Sequence, residues 1–504
     1  MKTRNLFLSL FAFAALCACN KEAQPEGPKV PEILDADTYI KVNIMATDAS
    51  TRAYEYGETN ENDVNNALFI FFNGPDVLPE ANYTFVWGTK DDGNNVAKSA
   101  TVRFQAQSEK PTSMIVLLNY DTSVDYANMD KATLRKHISE NYAVEIGGTP
   151  YFTMTNSVYA EGVNEVCEVA LNDANFKKVG AENEVGDAIT PVDVYVERVA
   201  AKVKFIDNIV VTPTADALAV SITPEVVGYN VVNTPDRSYD FKKINTAWDY
   251  SSVENGASDW SKPGDFRSFW AQMPTSDDLT TAGMTMSYSE IAYEDINTRP
   301  DYVYVHENTA AGSDATKVIL AAVLKADLDG DSVEEPVDLV RYNDTYYTLD
   351  GFKTLAIEQV QSLDALTITE AMLEPVSGSA AGITNGYEMV LQLNNNYTTS
   401  GGTKADEINT ALKTMSALYW NQGCCYYYTE IKHDLYSGEE QLSGVVRNHV
   451  YSINLNGVKG LGVPVADPAV SIDPETPSDE FYSLNATINI LQWKVVGQDV
   501  VFGE

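Results

Sequence analysis

VDVYVERVAAKVKF, Val192 to Phe205, carries apolar residues at a period of two and reads as one long β-strand. The same habit recurs along the chain. In YIKVNIMA, Tyr39 to Ala46, the residues Ile40, Val42, Ile44 and Ala46 alternate with Tyr39, Lys41 and Asn43, which leaves one face to bury. ALFIFF (67–72), SMIVLLNY (113–120), TKVILAAVLKADL (316–328), YEMVLQLNNNY (387–397) and VVRNHVYSINLNGV (445–458) follow suit. Clusters of Gly, Asn, Asp and Pro between them are of the kind that end strands. Two segments read as helices: Lys131–Tyr142, and Thr403–Met415, where Ala405, Ile408, Ala411, Leu412 and Met415 share a face. Short strands with turn signals and few helices make the chain mainly β and point to β-sandwiches. The long strand at 192–205 is the expected boundary between an N-terminal domain and a larger C-terminal one.

The 504 residues suit two to four domains. Acidic residues number 72 against 34 basic, a formal charge of -38 spread along the chain, so no basic stripe offers itself to phosphates and nucleic acid is excluded as a partner. Such acidity gives a solvated, self-repelling surface. The first residues read as a targeting segment: MKTR is a positive start and Leu6–Leu16 an apolar run too short to span a bilayer. Of the five cysteines, Cys17 and Cys19 close that segment and three remain after processing, Cys167, Cys424 and Cys425. Their odd number and the adjacency of two argue against a disulfide framework, and the four scattered histidines argue against zinc. Packed thiols are the expectation.

DLDGDSVEEPVD places Asp327, Asp329 and Asp331 at the first, third and fifth positions of a calcium-loop pattern. Ser332 stands where that loop needs glycine, and the flanks suit a hairpin better than two helices, so a polar turn is expected and no metal or other cofactor is. No nucleophile elbow, zinc-protease helix or phosphate loop is present, and the chain reads as a non-enzyme. Tyr426–Ile431 (YYYTEI), with Tyr419 and Trp420, offers rings that stack sugars on a surface or pack a core in strands.

The chain closes on SLNATINILQWKVVGQDVVF, Ser483 to Phe502. Leu484, Ala486, Ile488 and Ile490 alternate with polar residues; the apolar phase then shifts to Leu491, Trp493 and Val495 and returns at Val500 and Phe502. The shift marks a bulge or bend between two half-strands, which if extended reach roughly 60 Å. Pro464, Pro468, Pro474 and Pro477 precede it and favour an extended tether. A strand on a tether suggests donation to another molecule by strand addition. Near the other end, Tyr39–Ala46 runs into a polar loop whose one basic residue is Arg52, a place easily nicked. A cut there would free the first strand and open a groove.

Leu16-Cys17-Ala18-Cys19, the early strand followed by STRA, VERVAAKV, VVRNHVYSINLNGVKGLG and the closing ILQWKVV together resemble the major fimbrial subunits (fimbrillins) of Bacteroidales type V pili, closest to the short-fimbria type. The first of these resembles a lipobox with Cys19 as the acylated residue; an ordinary secretory peptide cut at Ala18 is the plainer alternative. The resemblance implies export as a lipoprotein, excision of the first strand by an arginine-specific protease between Arg52 and Ala53, and polymerisation by donor-strand exchange.

The expected fold class is therefore mainly β, two β-sandwich (transthyretin-like) domains with a few short helices and a C-terminal donor strand. The expected divisions are a leader (1–18), a lipid-proximal linker (19–37), an N-terminal domain (38–208) whose residues 38–52 are removable, a C-terminal domain (209–462), a Pro-rich tether (463–483) and a donor strand (484–504). Expected partners are copies of the chain, accessory fimbrial subunits, the protease, the outer membrane through the lipid before maturation, and host or bacterial surface ligands. The final place is an extracellular fimbrium with roles in adhesion and biofilm. A tethered glycan-binding surface lipoprotein, or a fimbrial anchor or tip subunit, are the alternatives.

Overall fold

The computed structural model describes residues 38–46, 61, 63–74, 76–77, 88–91, 96–104, 110–161, 164–178, 190–215, 217–244, 271–363, 368–378, 381–383, 385–398, 402–433, 442–472, 482–492 and 495–496. It is mainly β. The largest sheet has ten strands, with Asp76–Val77, Ala67–Asn73, Ser113–Leu118, Met154–Asn156, Val192–Arg198, Thr38–Ala46, Val96–Phe104 and Gly88–Asp91 in that spatial order. Ala67–Phe72 and Ser113–Leu118 do not alternate as expected: both are buried along their whole length, because the sheet is packed on two faces there, and apolar residues fill every position but Ser113. One face of these strands packs Phe69, Phe71, Met114 and Val116 with the first strand; the other packs Ile70, Phe72, Ile115 and Leu117 under Tyr126, Leu134 and Phe241.

Val192–Phe205 is not one strand. Val192–Arg198 belongs to the ten-stranded sheet and Ala200–Thr212 to a five-stranded one, and Val199 is the step between them. The Val199 amide donates to the Thr153 carbonyl at 3.0 Å, while the Ala200 carbonyl accepts from Asn448 N at 2.7 Å. Both bonds turn the backbone out of the first ladder, and the small side chains of Ala200 and Ala201 let it lie buried there. Alternation cannot reveal such a change of sheet, because the periodicity is the same on both sides of it.

The second sheet runs Tyr302–His306, Ala200–Thr212, His449–Gly460, Tyr482–Gln492, Val495–Val496. A further one is built on Thr223–Val232, Lys317–Ala326, Cys424–Glu430 and Val463–Pro464, with Glu335–Pro336 paired to the second of these. One apolar core joins the two, with Val203, Phe205, Ile453 and Leu455 on one side and Tyr229, Leu320, Ala322 and Tyr427 on the other. Burying this much apolar surface is the main force holding them together.

Another five-stranded sheet (Thr345–Thr348, Leu339–Tyr342, Ala417–Trp420, Glu388–Leu393, Leu373–Ser377) carries two helices, Leu349–Val360 and Gly402–Leu412. The second matches the expected Thr403–Met415, with Ile408, Leu412 and Met415 buried. The first was not foreseen; Thr348 caps it, accepting from Gly351 N at 3.2 Å, and Phe352, Ala356 and Val360 face the sheet. The helix expected over Lys131–Tyr142 is only one turn, Lys131–Leu134, capped by Asp130. Ile138–Ser139 instead pairs with Ser238–Tyr239, a hundred residues on, and that tertiary pairing overrides local helix propensity.

Candidate functional site

Thr38–Ala46 is an interior strand. On one edge it pairs antiparallel with Val96–Phe104, Ile40 opposite Val102 and Val42 opposite Ala100; on the other it pairs parallel with Val192–Arg198, Val42 opposite Val192 and Ala46 opposite Val196. Lys177–Lys178 covers the start of that second edge. Ile40, Val42 and Ile44 point into the core with Val102 and Val194, as the alternation required. Tyr39 departs from it: expected on the open face with Lys41, which is exposed, it is itself buried.

Tyr482–Gln492 pairs antiparallel with His449–Gly460 of the same chain, placing Leu484 opposite Val458, Ala486 opposite Leu455, Ile488 opposite Ile453 and Ile490 opposite Tyr451. The register shifts between Leu455 and Gly457. A Cβ on Gly457 would stand 2.7 Å from the Val210 carbonyl oxygen, so the close approach of Ala200–Thr212 requires glycine there. Beyond Gln492 the chain does not continue outward. Val495–Val496 returns along the strand, Val495 opposite Leu491 and Val496 opposite Ile490. The phase shift read at Leu491 thus marks a reversal rather than a bulge in a long extended strand, since turning back satisfies the backbone groups of the end residues against their own neighbour.

The stretch expected as a tether, 463–483, begins inside the fold. Val463–Pro464 pairs with Cys425 and Tyr426, and Val463, Val465 and Ala466 are buried. Cys19, Arg52, Ala53, Trp493, Val500 and Phe502 lie outside the described residues.

A buried charged layer was not anticipated. It lies where the ten-stranded sheet meets its neighbour. Lys242 Nζ stands 2.8 Å from Glu197, with neither side chain reaching solvent. Arg447 pairs with Glu307 and donates to the carbonyls of Asp240, at 2.8 Å, and Tyr239, at 2.5 Å. Glu61 accepts from Lys202 Nζ at 2.8 Å and from the Tyr304 hydroxyl, and its carbonyl accepts from Arg198 Nε at 2.7 Å. Burial pushes the Glu197 carboxyl up, opposed by Lys242 and Arg447; burial pulls Arg198 down to about 10, where it stays cationic at neutral pH. The signal was present in VERVAAKV and VVRNHV: charged residues inside runs that otherwise read as buried strand.

Asp327, Asp329 and Asp331 sit on the turn linking Lys317–Ala326 to Glu335–Pro336, their carboxylate oxygens within 4.8 Å of one another. Asp327 accepts from the amides of Gly330 and Ser332 at 2.6 and 2.9 Å, and Asp331 from Val333 N at 2.8 Å. The carboxylates thus brace the turn that the flanking strands suggested. Of the rings weighed for sugar stacking, Tyr419, Trp420, Tyr426 and Tyr427 are buried, and Tyr428 is half-buried and stacked on Tyr426. Cys167, Cys424 and Cys425 are free thiols.

By its sheets the chain is a mainly β protein in which, among the described residues, the last long strand, Tyr482–Gln492, lies along the long strand before it, His449–Gly460. Residues 418–499, which include both of those strands, match the family model for the major fimbrial subunit protein type IV, fimbrillin, C-terminal. Over this region the chain is similar to the fimbrillin family. Comparison with curated proteins gave no match. Among solved structures, a candidate cell adhesion protein from Parabacteroides distasonis is similar at 14% identity and a TM-score of 0.39, over 91% of this chain and 98% of that one. A fimbrial assembly protein from the same organism is similar at 11% identity and a TM-score of 0.29, over 59% and 84%. The tip fimbrial protein Mfa3 from Porphyromonas gingivalis, with a C-terminal truncation, is similar at 11% identity and a TM-score of 0.33, over 91% and 100%.

Proposed function

We propose that this chain is a structural subunit of a cell-surface fimbria of the short-fimbria type, exported as a lipoprotein acylated at Cys19, cut after Arg52 and polymerised by donor-strand exchange. The observation that carries the reading is the seat of Thr38–Ala46, a strand near the N-terminus that is hydrogen-bonded on both edges and apolar on its inner face. Removing it would leave two unpaired strand edges and an open groove, which a soluble protein cannot leave bare. The terminal strand has the alternation to fill that groove and, at eleven residues, the length to match nine. It is also the cheaper strand to move. In its own sheet it has one long partner and a two-residue return, whereas the groove offers a ladder on each side.

In this reading the expected boundary at 208 moves back to Val199, where the backbone passes from the ten-stranded sheet to the next, the strand from 484 is the donor, and the connection shortens to the residues after Ile472, because 463–466 pack with the fold. Before cleavage the first strand occupies the groove and blocks assembly in the periplasm. After it, each donor pairs with the next copy, and a head-to-tail contact that does not close grows into a filament. Acylated Cys19 leaves with the excised peptide, so the outer-membrane precursor becomes an extracellular fimbrial subunit. Its partners are copies of itself, accessory fimbrial subunits, an arginine-specific protease and surface ligands that serve adhesion and biofilm; no catalytic role is proposed.

The test is low-dose trypsin on the unacylated precursor, compared with Arg52→Ala and with a chain ending before Leu484. Detergent-resistant ladders and fibres that need both features support strand exchange. A chain cut at Arg52 that stays monomeric with its terminal strand intact refutes it.

A further inference from the structure

Glu61 is where the described fold resumes after residues 47–60. Its side chain is 1% exposed, held by Lys202 at 2.8 Å and by the Tyr304 hydroxyl, while Arg198 Nε reaches its carbonyl at 2.7 Å. Arg198 Nη1 in turn donates to Asn448 Oδ1 at 3.0 Å. The crossing between two sheets, the strand Tyr302–His306 and the corner before His449 therefore converge on one residue. Its position adds to this. Ala46, the last residue of the first strand, lies opposite Val196, and Arg198 is two residues further on, about 7 Å along the strand. Both feet of the segment 47–60 thus stand at the same end of Val192–Arg198, and they are held differently. The upstream foot is held by ladder hydrogen bonds and alternating apolar side chains, which any strand of that pattern can replace. The downstream foot is held by buried charges, whose separation would leave Lys202 and Arg198 without Glu61 in a site shut off from water.

We propose that Glu61 is a retaining pin: when the chain is cut within residues 47–60, Thr38–Ala46 is free to leave while Glu61 keeps the new N-terminal arm and Ala67–Asn73 seated beside the emptied groove. This rests on the reading that the chain is cut in that segment. The asymmetry of the two feet decides which side of the cut departs. It also gives Arg198, Lys202 and Asn448, three charged or polar residues of otherwise apolar motifs, a common task.

The experiment uses the full unacylated precursor with a recognition site for a sequence-specific protease replacing residues 50–55, so that cutting does not depend on Arg52. Hydrogen exchange of peptides from 63–73 is measured before and after the cut, with Glu61 native and as Glu61→Ala. The pin requires the native chain to change by less than about 2-fold on cutting, and the cut Glu61→Ala chain to exchange at least about 10-fold faster than the cut native chain. Should Glu61→Ala lose its fold, Glu61→Gln with Lys202→Met leaves no buried charge on that pair and is held to the same comparison. The proposal is overturned if the cut native chain loosens as much as the variant, or if the variant stays as protected as the native chain. Trypsin treatment of the unmodified precursor is a separate arm: failure to cut at Arg52 there sinks the maturation reading and leaves the pin standing.

Discussion

Glu197 and Lys242 meet at 2.8 Å inside the protein, both sealed from solvent. A buried pair of this kind adds little over an apolar pair of the same volume, but either charge alone is costly. Lys242→Met is therefore expected to destabilise the protein by about 3–5 kcal/mol, and Glu197→Leu with Lys242→Met to recover most of that loss. Urea unfolding of the three chains checks it; equal losses in the single and double variants would contradict it.

His306 gives the fold a pH dependence. Burial lowers it to about 4; its Nδ1 faces Ser238 Oγ and its Nε2 the Glu140 carbonyl, each at 3.1 Å. The unfolded chain binds a proton near pH 6.5 and the folded chain does not, so the contribution is full above that pH and is lost as pH falls from about 6.5 to about 4. The slope of unfolding free energy in this window should fall by up to about 1.4 kcal/mol per pH unit in His306→Asn. An unchanged slope would mean that the imidazole is hydrated.

Gly457→Ala should cost about 1–3 kcal/mol, because its Cβ would press on the Val210 carbonyl from 2.7 Å. Exchange should quicken in both neighbours of that strand, Ala200–Thr212 and Tyr482–Gln492. Faster exchange in neither would place the strain elsewhere.

The thiols should be inert. Burial pushes Cys167 up to about 12 and raises Cys425 further, so few thiolates form at pH 8. In a chain beginning after Cys19, alkylation of these two is expected to be at least about 100-fold slower native than in denaturant. Comparable rates would show the cores to be open.

Strand content, from alternation in some runs and unbroken apolar stretches in others, and the inner face of the first strand were legible in the sequence. What escaped depends on partners far away in the chain. Ile138 leaves its local helix for Tyr239; Val199 changes sheets without a change of pattern; Gln492 is followed by a reversal that alternation alone does not distinguish from a bulge. Glu197, Lys202 and Arg447 interrupt apolar strands, and only the fold brings Lys242, Glu61 and Glu307 to meet them.

The most direct measurement of strand exchange is hydrogen exchange at the two strands flanking the groove, Val96–Phe104 and Val192–Arg198, in the precursor, in the cut chain lacking residues 484–504, and in the assembled polymer from which Thr38–Ala46 has been lost by mass. The account requires protection, then exposure, then protection restored. Flanking strands that stay protected in the cut, donor-less chain, or a polymer that still contains Thr38–Ala46, would contradict it.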